Sequence, residues 1–292
     1  MTLSGSSVTW RGLTFVGSRG DGSRPWFDTL DGWEELPPAR RDGQARQSGH
    51  GTFDSAVWSD ERVVTLAGAC MSASERDAQL MAISGVMTFE SGAPESLTIT
   101  HAGRTLTGNA RLTRFKAPPG KDWASGRFTW AAEWVCSDPL RYASPVTIAT
   151  GFPVAGGGLH FPLFTNRSIR INALSFGARS TTGRVLLTND GNAAAWPTYA
   201  VTGPIPSQGF EIVAVGSGKR IRFVGAVPAG STLLIDSAAA TVLLDGMSDR
   251  SGQVVALDPI SIPAGAALEL AFIPLGSTSS AQLSASISPG WW

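Results

Sequence analysis

Residues 127–137 read RFTWAAEWVCS, and this short stretch decides the fold class. In a β-strand, successive side chains point to opposite sides. One side of this strand would therefore carry Phe128, Trp130, Ala132, Trp134 and Cys136, while the other carries smaller or polar residues. Such a pattern predicts a strand with one face in a hydrophobic core and the other against solvent or a neighbouring molecule.

The strand is predicted to end at the sequence Asp138–Pro139. Pro139 has no amide hydrogen to donate and biases Asp138 towards extended geometry, so the ladder of hydrogen bonds stops there. Asp138 is expected to cap the turn through the backbone that follows it. We expect Arg141 and Tyr142, which come next, to pack between two domains.

A chain of 292 residues is long enough for about two domains. Residues 145–165 are rich in proline and glycine and alternate little. This is the composition of an ordered connector and not of a flexible Gly/Ser linker. We therefore predict an N-terminal domain at residues 1–144, the connector at 145–165 and a C-terminal domain at 166–292.

One helix is predicted in the N-terminal domain, within SASERDAQLMAISGVM at residues 72–87. Its apolar residues at helical spacing are Leu80, Ile83 and Met87. Ser72 and Glu75 stand at the spacing of a capping box, which would satisfy free amides at the helix N-terminus. The rest of this domain is rich in β-branched residues and predicts strands arranged as a β-barrel or sandwich.

The C-terminal half consists of short alternating segments separated by turn signals such as NDGN, GSGK and LDGM. Strands at this spacing, with no helical pattern between them, are typical of an antiparallel β-sandwich or jelly roll. The chain as a whole is therefore predicted to be mostly β. The residues expected in the core of this second domain are Ile169, Ile171, Leu186, Phe223, Leu234, Leu268 and Phe272.

Charge and composition argue against several classes of function. Lysine plus arginine and aspartate plus glutamate both number 23, so no net basic field attracts phosphates, and we expect no specific nucleic-acid binding. No run of about 18 or more apolar residues occurs, which argues against membrane insertion. Cys70 and Cys136 show no CxxC spacing, and we expect both to be buried free thiols.

Motifs that would indicate a metal or nucleotide site are missing. The histidines are His50, His101 and His160. They show no HExxH or other metal-ligand spacing. The glycine-rich stretch VAVGSGKRIRF has Val213 where a phosphate-binding loop needs glycine, and Arg220 where it needs Ser or Thr. We interpret this stretch as the turn of a β-hairpin.

Two further patterns have simpler structural interpretations. Glycoside hydrolysis needs only two suitably placed carboxylates, but Glu133 and Asp138 would face opposite sides of one strand at a separation of about 16 Å. The tripeptide Arg19-Gly20-Asp21 lies in a glycine-rich segment that predicts a surface turn rather than an adhesive motif. We therefore predict no catalytic residue, no cofactor, no metal ion and no enzymatic activity.

The order of motifs along the chain resembles the distal tail protein family of siphoviruses, the phages with long non-contractile tails. The resemblance rests on EWVCSDPLRYA at residues 133–143 and the Pro/Gly connector, followed by LLTNDGNAAAWPTYAVTGPI at 186–205, GSGKRIRFVG at 216–225 and IPAGAALELAF at 262–272. The match spans the whole chain, and its specificity comes from the order of the motifs.

This resemblance implies a structural virion protein of the phage tail tip or baseplate hub. In the family, the N-terminal domains of six copies form a ring between the tail tube and the host-facing tip, and the second domain is a galectin-like β-sandwich. The expected partners are further copies of the chain, the tail tube protein and tail-tip or hub proteins. The expected location is the virion tail tip, and the host cytoplasm during assembly.

The N-terminal domain gives its own reasons to expect a subunit interface. Its tryptophans are Trp10, Trp26, Trp33, Trp58, Trp123, Trp130 and Trp134. Tryptophan is enriched at interface hot spots, and core packing is an equal alternative for each of these residues. The segment RRDGQARQSGHG at residues 40–51 adds hydrogen-bonding surface. Ring closure is also expected to protect exposed strand edges.

An alternative function is host recognition by a sugar-binding β-sandwich, because aromatic side chains can stack on sugars. Only Trp196, Trp291 and Trp292 fall in the predicted sandwich domain. This distribution favours the structural adaptor. The two alternatives differ in stoichiometry, since the adaptor requires a ring and the sugar-binding protein does not.

Removing divalent metal is expected to leave the folded state unchanged, because the sequence offers no ligand cluster or phosphate loop. The melting temperature should be the same with and without a chelator. A drop of several degrees on chelation, reversed by adding metal back, would contradict the prediction.

Overall fold

The chain is mostly β and forms two compact units. The computed structural model describes residues 3–18, 24–156 and 180–292. Strands make up 49% of the structure, and one α-helix is present among the described residues. The first unit comprises Met1–Ser144 with Trp291–Trp292, and the second unit comprises Pro145–Gly290. The predicted fold class is confirmed.

The first unit is a closed barrel with a helix and a separate hairpin. Its described elements are β1 (Ser7–Trp10), β2 (Leu13–Val16), β3 (Trp26–Asp31), β4 (Ala39–Arg41), β5 (Val57–Ser59), β6 (Arg62–Met71), α1 (Arg76–Val86), β7 (Glu95–His101), β8 (Arg104–Lys116), a 3-10 helix (Trp123–Ser125), β9 (Arg127–Cys136) and β10 (Arg141–Tyr142). Seven strands follow the order β8-β7-β1-β2-β3-β6-β9, and β9 pairs back onto β8. Closure within one chain leaves the barrel without an open sheet edge. That ring formation protects strand edges stays a prediction, and it concerns strands outside the closed barrel, such as the separate β4–β5 pair.

Strand β9, which carries the sequence RFTWAAEWVC, supplies one wall of the barrel core. Its predicted apolar face is confirmed, because each side chain on that face is 4% exposed or less: Phe128, Trp130, Ala132, Trp134 and Cys136. Trp134 packs edge-on against Trp10 of β1, with 5.8 Å between ring centroids. Trp130 packs on Phe15 of β2 at 5.0 Å. Such pairs add about 0.5–1.5 kcal/mol each beyond their area burial.

The helix α1 lies where it was predicted but begins differently. Ile83 is fully buried and Met87 is 8% exposed, which confirms the apolar face. The predicted capping box is wrong: Glu75 is the N-cap and makes no side-chain cap, while the Ser72 hydroxyl bonds to Ser74. Ser72 lies four residues before Arg76, the first helical residue, which is too far for a cap. With 11 residues, α1 is too short to span a bilayer, and no described helix is long and apolar enough to do so.

The second unit is a sandwich of two antiparallel sheets. Its strands are β11 (Val146–Gly151), β12 (Arg184–Thr188), β13 (Thr198–Thr202), β14 (Phe210–Ala214), β15 (Arg220–Phe223), β16 (Thr232–Asp236), β17 (Thr241–Leu244), β18 (Ser248–Asp249), β19 (Val254–Leu257), β20 (Ala267–Pro274) and β21 (Gln282–Ile287), with a 3-10 helix at Ser251–Gln253. The last strand, β22 (Gly290–Trp291), instead pairs with β10 in the sheet that forms the barrel. One sheet has the order β11-β21-β13-β16-β17-β18 and the other β12-β20-β14-β15-β19. Inward-facing residues of both sheets form one hydrophobic cluster.

The predicted core of the second unit is partly confirmed. Phe223 and Phe272 are fully buried, and Leu268 is partly buried against the same cluster. Ile169 and Ile171 lie outside the described residues.

Two leucines assigned to this core were placed on the wrong face. Leu186 of β12 and Leu234 of β16 are 55% and 44% exposed. In each strand the residues on either side of the leucine are apolar as well. The sequence is therefore compatible with burial of the leucine or of its two neighbours, and the structure buries the neighbours. The buried neighbours are Val185, Leu187, Leu233 and Ile235.

The boundaries of the second unit differ from the predicted domain at both ends. Residues Val146–Gly151, assigned to the connector, form β11 and pair with β21 in register from Val146 opposite Ile287. Their β-branched residues favour a strand once Pro145 is passed. Trp291 and Trp292, assigned to the C-terminal domain, belong to the first unit. Within that unit, the Trp291 ring lies 4.5 Å below the guanidinium of Arg104.

Replacing Phe272 by alanine is expected to destabilise the second unit by about 3–5 kcal/mol, because a large buried side chain leaves a cavity. The Phe272 ring stacks on Phe152 with 4.1 Å between centroids. The matched control is Leu186→Ser on the exposed face, which should stay within about 0.5 kcal/mol of the parent. Urea unfolding followed by circular dichroism measures both, and equal losses would contradict the assigned alternation.

Candidate assembly surface

A long hairpin projects from the first unit between β3 and β6. We call residues 36–59 the arm. Its two strands pair in register from Ala39 opposite Ser59 to Arg41 opposite Val57. None of the arm residues is buried. The arm therefore has no hydrophobic core of its own, although an isolated two-stranded hairpin is at best marginally stable in water.

The arm exposes large apolar side chains. Leu36, Phe53, Val57 and Trp58 are 73%, 59%, 61% and 66% exposed. Of the seven N-terminal tryptophans, four are fully buried in the barrel and two are half-buried, so Trp58 alone is exposed. Core packing explains the four buried tryptophans. Trp58 is the one whose exposure fits the alternative that these tryptophans lie at a subunit interface.

Charged groups on the arm pair weakly with one another. Arg41 and Asp54 approach to 3.4 Å, and their side chains are 49% and 100% exposed, so the pair contributes little to stability. The Arg46 guanidinium lies 5.8 Å from the Phe53 ring and forms no ion pair among the described residues. These cations remain available to a partner surface.

The base of the arm is held by a buried arginine at the start of β6. Arg62 is 1% exposed. Its Nη1 donates to the carbonyl oxygens of Gly32, Trp33 and Glu35 at 2.8, 2.9 and 2.6 Å. Its Nε donates to the carbonyl of Pro139 at 2.8 Å. One side chain thus joins the chain entering the arm, the strand leaving it and the turn after β9.

Burial and, to a smaller extent, the positive charge of nearby Arg141 lower the pKa of Arg62 to about 10. The guanidinium nevertheless stays charged at neutral pH, and charge-assisted bonds to carbonyls are stronger than neutral ones. The backbone also approaches closely here. A Cβ at Gly32, whose φ is +76°, would lie 1.9 Å from the carbonyl oxygen of Val63. Glycine is therefore required where the chain turns into the arm.

A second arginine fixes the neighbouring turn. Arg141 donates from Nη1 to the carbonyl of Trp33 at 2.6 Å and to Glu34 at 2.9 Å. Its Nη2 donates to the carbonyl of Trp292. These partners all belong to the first unit. One of them, Trp292, was assigned from the sequence to the C-terminal domain, and packing of Arg141 between two domains stays a prediction.

The predicted cap at Asp138 is present. Its Oδ1 accepts a hydrogen bond from the amide of Leu140 at 3.0 Å, and its Oδ2 accepts one from the Tyr142 hydroxyl at 2.6 Å. Burial raises the pKa of Tyr142, and the hydrogen bond to Asp138 raises it further. Tyr142 therefore remains a neutral donor and stabilises the turn inside the first unit.

A second exposed apolar surface lies on α1 and the segment after it. We call Asp77, Met81, Phe89 and Glu90 the α1 patch. Met81 and Phe89 are 75% and 72% exposed. Asp77 is held by Arg76 at 2.8 Å, and Glu90 lies 3.4 Å from Arg11. The carboxylate side chains are 73% and 61% exposed. The α1 patch therefore combines two exposed apolar side chains with two carboxylates, each of which is paired with an arginine.

The outer face of the barrel carries pairs of threonines. Their hydroxyls bond across neighbouring strands, at 3.1 Å between Thr9 and Thr14, 3.1 Å between Thr98 and Thr107, and 2.9 Å between Thr100 and Thr105. These hydroxyls therefore already have hydrogen-bond partners within the first unit.

The described residues that were considered for metal binding do not form a cluster. Among the described residues, no group of three His, Cys, Asp or Glu side chains could hold a metal. His101 bonds to the Ser6 hydroxyl at 2.8 Å, and Glu133 accepts a hydrogen bond from Thr113. His160 and the Arg19-Gly20-Asp21 tripeptide lie outside the described residues.

Two further sequence interpretations are confirmed. The stretch VAVGSGKRIRF is the β14–β15 hairpin, where the Lys219 ammonium donates to the carbonyl of Pro259 at 2.8 Å. Cys70 and Cys136 are buried free thiols. Burial raises the pKa of Cys136 to about 11, so this thiol is protonated and inert at neutral pH.

A groove of about 410 Å³ lies on the six-stranded sheet of the second unit, the unit to which the sugar-binding alternative was assigned. Hydroxyls of Thr147, Ser284 and Ser286 line it. The one aromatic residue in its lining, Tyr199, is 1% exposed, so its ring offers no stacking platform. The carboxylate of Asp236 already accepts hydrogen bonds from two backbone amides. The groove therefore lacks the aromatic contact on which the sugar-binding alternative depends.

Comparison with known proteins finds structural likeness without sequence likeness. No protein-family model and no curated protein sequence matches this chain. The chain is similar to the SPP1 Dit protein, described as a paradigm of the hub adsorption apparatus in phages that infect Gram-positive bacteria, with a TM-score of 0.65 and 11% identity. That match covers 98% of this chain and 99% of the other. A chain of the phage P2 baseplate in its activated conformation matches with a TM-score of 0.47 and 10% identity, over 96% and 97%.

Replacing Arg62 by methionine is expected to lower the free energy of unfolding by about 3 kcal/mol, because four carbonyls in buried or part-buried hydrogen bonds lose their shared charged donor. The matched control is Arg40→Met, which removes a 3.7 Å ion pair from a side chain that is 71% exposed. Its effect should stay within about 1 kcal/mol. Urea unfolding measures both, and limited proteolysis should cut the arm faster in Arg62→Met only. Equal stability of the two variants would refute the anchoring role of Arg62.

Proposed function

We propose that the chain is a structural protein of a phage tail tip, a distal tail protein whose copies form a ring between the tail tube and the host-facing baseplate. The observation that carries this proposal is the structural match to a phage adsorption-apparatus hub protein, which extends over 98% of this chain and 99% of that one. A match of both units in one continuous alignment is more specific than a match of a single β-sandwich.

The motif order in the sequence supports the same proposal independently of overall shape. The strand and turn at residues 133–143 precede the motifs at 186–205 and 262–272 in the order of the siphovirus distal tail family. The partners we propose are further copies of this chain in a hexameric ring, the tail tube protein and hub proteins of the tip. The protein would act in the virion tail and would assemble in the host cytoplasm, without a cofactor or catalysis.

The first unit is the part that we assign to the ring. It carries the arm and the α1 patch, whose apolar side chains have no partner surface within the described chain. Burying about 500 Å² of apolar surface per contact contributes about 12 kcal/mol at roughly 25 cal/mol per Å². Association costs about 4–15 kcal/mol, so a single contact is weak. Ring closure then adds a final contact at little further entropic cost.

The proposal predicts a closed oligomer of the full chain. Six chains of 30.5 kDa give a particle of about 183 kDa. Mass photometry should find monomers and complete rings, with few intermediates, and negative-stain images of the larger species should show a central opening. A monomer at every accessible concentration would contradict the ring.

A further inference from the structure

We infer that Trp291 and Trp292 act as a strap that holds the base of the arm, and that Arg141 transmits the effect of the strap to the arm. The two tryptophans follow the second unit in the sequence but belong to the first unit. The inference concerns contacts inside the first unit of a single chain, so it does not rest on the proposed ring.

The strap is bound to the first unit through its backbone and through a side chain. Its strand β22 pairs with β10 in the sheet that forms the barrel. The Arg104 guanidinium lies 4.5 Å from the centroid of the Trp291 ring, which is within the range of a cation–π interaction. The same ring packs, partly buried, against the hydrophobic cluster of the barrel. Trp291 is therefore the anchor of the strap.

Arg141 connects the strap to the chain that leads into the arm. This side chain is 5% exposed, and its Nη2 donates a hydrogen bond to the carbonyl of Trp292. Its Nη1 donates to the carbonyl of Trp33 at 2.6 Å and to the carboxylate of Glu34 at 2.9 Å. A guanidinium is a planar and rigid fork. Its orientation towards the strap therefore also sets its orientation towards the residues that precede the arm.

Two arginines share one acceptor at the base of the arm. The carbonyl of Trp33 accepts from Arg141 and also from Nη1 of Arg62 at 2.9 Å. Buried like charges stay side by side only while each keeps its hydrogen-bond acceptors. Loss of the Trp292 acceptor favours movement of Arg141 towards solvent. The segment before the arm would then keep its bonds to Arg62 but lose both bonds to Arg141.

The strap makes the held form of the arm depend on a segment that is synthesised after the second unit. Domains fold as units during synthesis, beginning with the N-terminal one, so the barrel and the arm exist before the strap does. Until Trp292 has been added, Arg141 lacks one of the acceptors that keep it buried. The apolar side chains of the arm therefore gain their fixed position last, after both units have been made.

Hydrogen exchange at the base of the arm measures this coupling. The amide of Asp60 donates to the carbonyl of Pro38 at 2.8 Å, beside the pair formed by Ala39 and Ser59. Peptides that cover residues 57–61 therefore report opening of the base when exchange is followed by mass spectrometry. Peptides from β1 serve as the reference for the barrel. The chain is measured as a monomer, at a concentration at which mass photometry finds no oligomer.

Trp291→Ser in the full chain is the strap variant. Exchange at the base of the arm should become about fivefold faster, because charge-assisted hydrogen bonds to the entering segment are weakened, while exchange in β1 stays at the parental rate. Arg104→Ser removes an exposed cation and should speed exchange at the base by about threefold, as expected for loss of one cation–π contact. The control is Trp196→Ser in the second unit, where the side chain is 45% exposed. It should change neither rate.

A double variant tests whether the strap acts through Arg141. Arg141→Met alone should speed exchange at the base at least as much as Trp291→Ser. The two changes combined should have no more effect than Arg141→Met alone, because both interrupt the same connection. Circular dichroism and the melting temperature establish that each variant is folded. If Arg141→Met does not fold, Arg141→Lys takes its place, since an ammonium keeps the charge but lacks the fork that bonds Trp33 and Trp292 together.

Three results would overturn the inference. One is parental exchange at the base of the arm in folded Trp291→Ser. Another is equal acceleration in β1, because the strap would then stabilise the whole first unit and not the arm. The third is an additive effect of Trp291→Ser and the change at Arg141, since the strap would then act by another route. All three leave the proposed ring standing, because that is tested by the oligomer of the unmodified chain.

Discussion

The buried guanidinium of Arg62 is the interaction on which the architecture of the first unit depends. It donates hydrogen bonds to four backbone carbonyls, three in the segment before the arm and one in the turn after β9. Buried carbonyls must be paired, and no strand ladder is available to them where the chain leaves the barrel. A single cation therefore takes the role that sheet hydrogen bonds have elsewhere. Gly32 makes this possible, since a side chain there would collide with the carbonyl of Val63.

Because Arg62 fixes the base of the arm, the packing of the barrel core does not depend on the rest of the arm. The barrel core, with Trp10, Trp33, Trp130 and Trp134, is complete without the arm. The arm can therefore present Trp58 outward without loss of core packing. The same division explains why the seven N-terminal tryptophans split into buried and exposed sets, which the sequence left as equal alternatives.

The sequence predicted the buried face of a strand correctly where the large apolar side chains fall on only one of its two faces. Along β9, the aromatic residues Phe128, Trp130 and Trp134 all fall on the same side of the strand, so the buried face follows from the pattern. In β12 and β16 the runs VLL and LLI allow either alternation, so Leu186 and Leu234 were assigned to the wrong face. The role of Arg62 could not be predicted, because its partners are main-chain carbonyls, which any residue supplies. The arm had a compositional signal in RRDGQARQSGHG, but that signal does not distinguish a paired hairpin from a loop.

Closure of the barrel constrains how copies of this chain can associate. Because β9 pairs back onto β8, the seven barrel strands have no free edge at which a neighbouring strand can add. Contacts between first units must then use side chains on outer surfaces or the hairpin that lies outside the closed sheet. The threonine hydroxyls on the outer face of the barrel already bond to one another, so they would gain few new hydrogen bonds from a partner. The arm and the side chains of Met81 and Phe89 expose apolar surface, and burial of that surface against another molecule would be favourable.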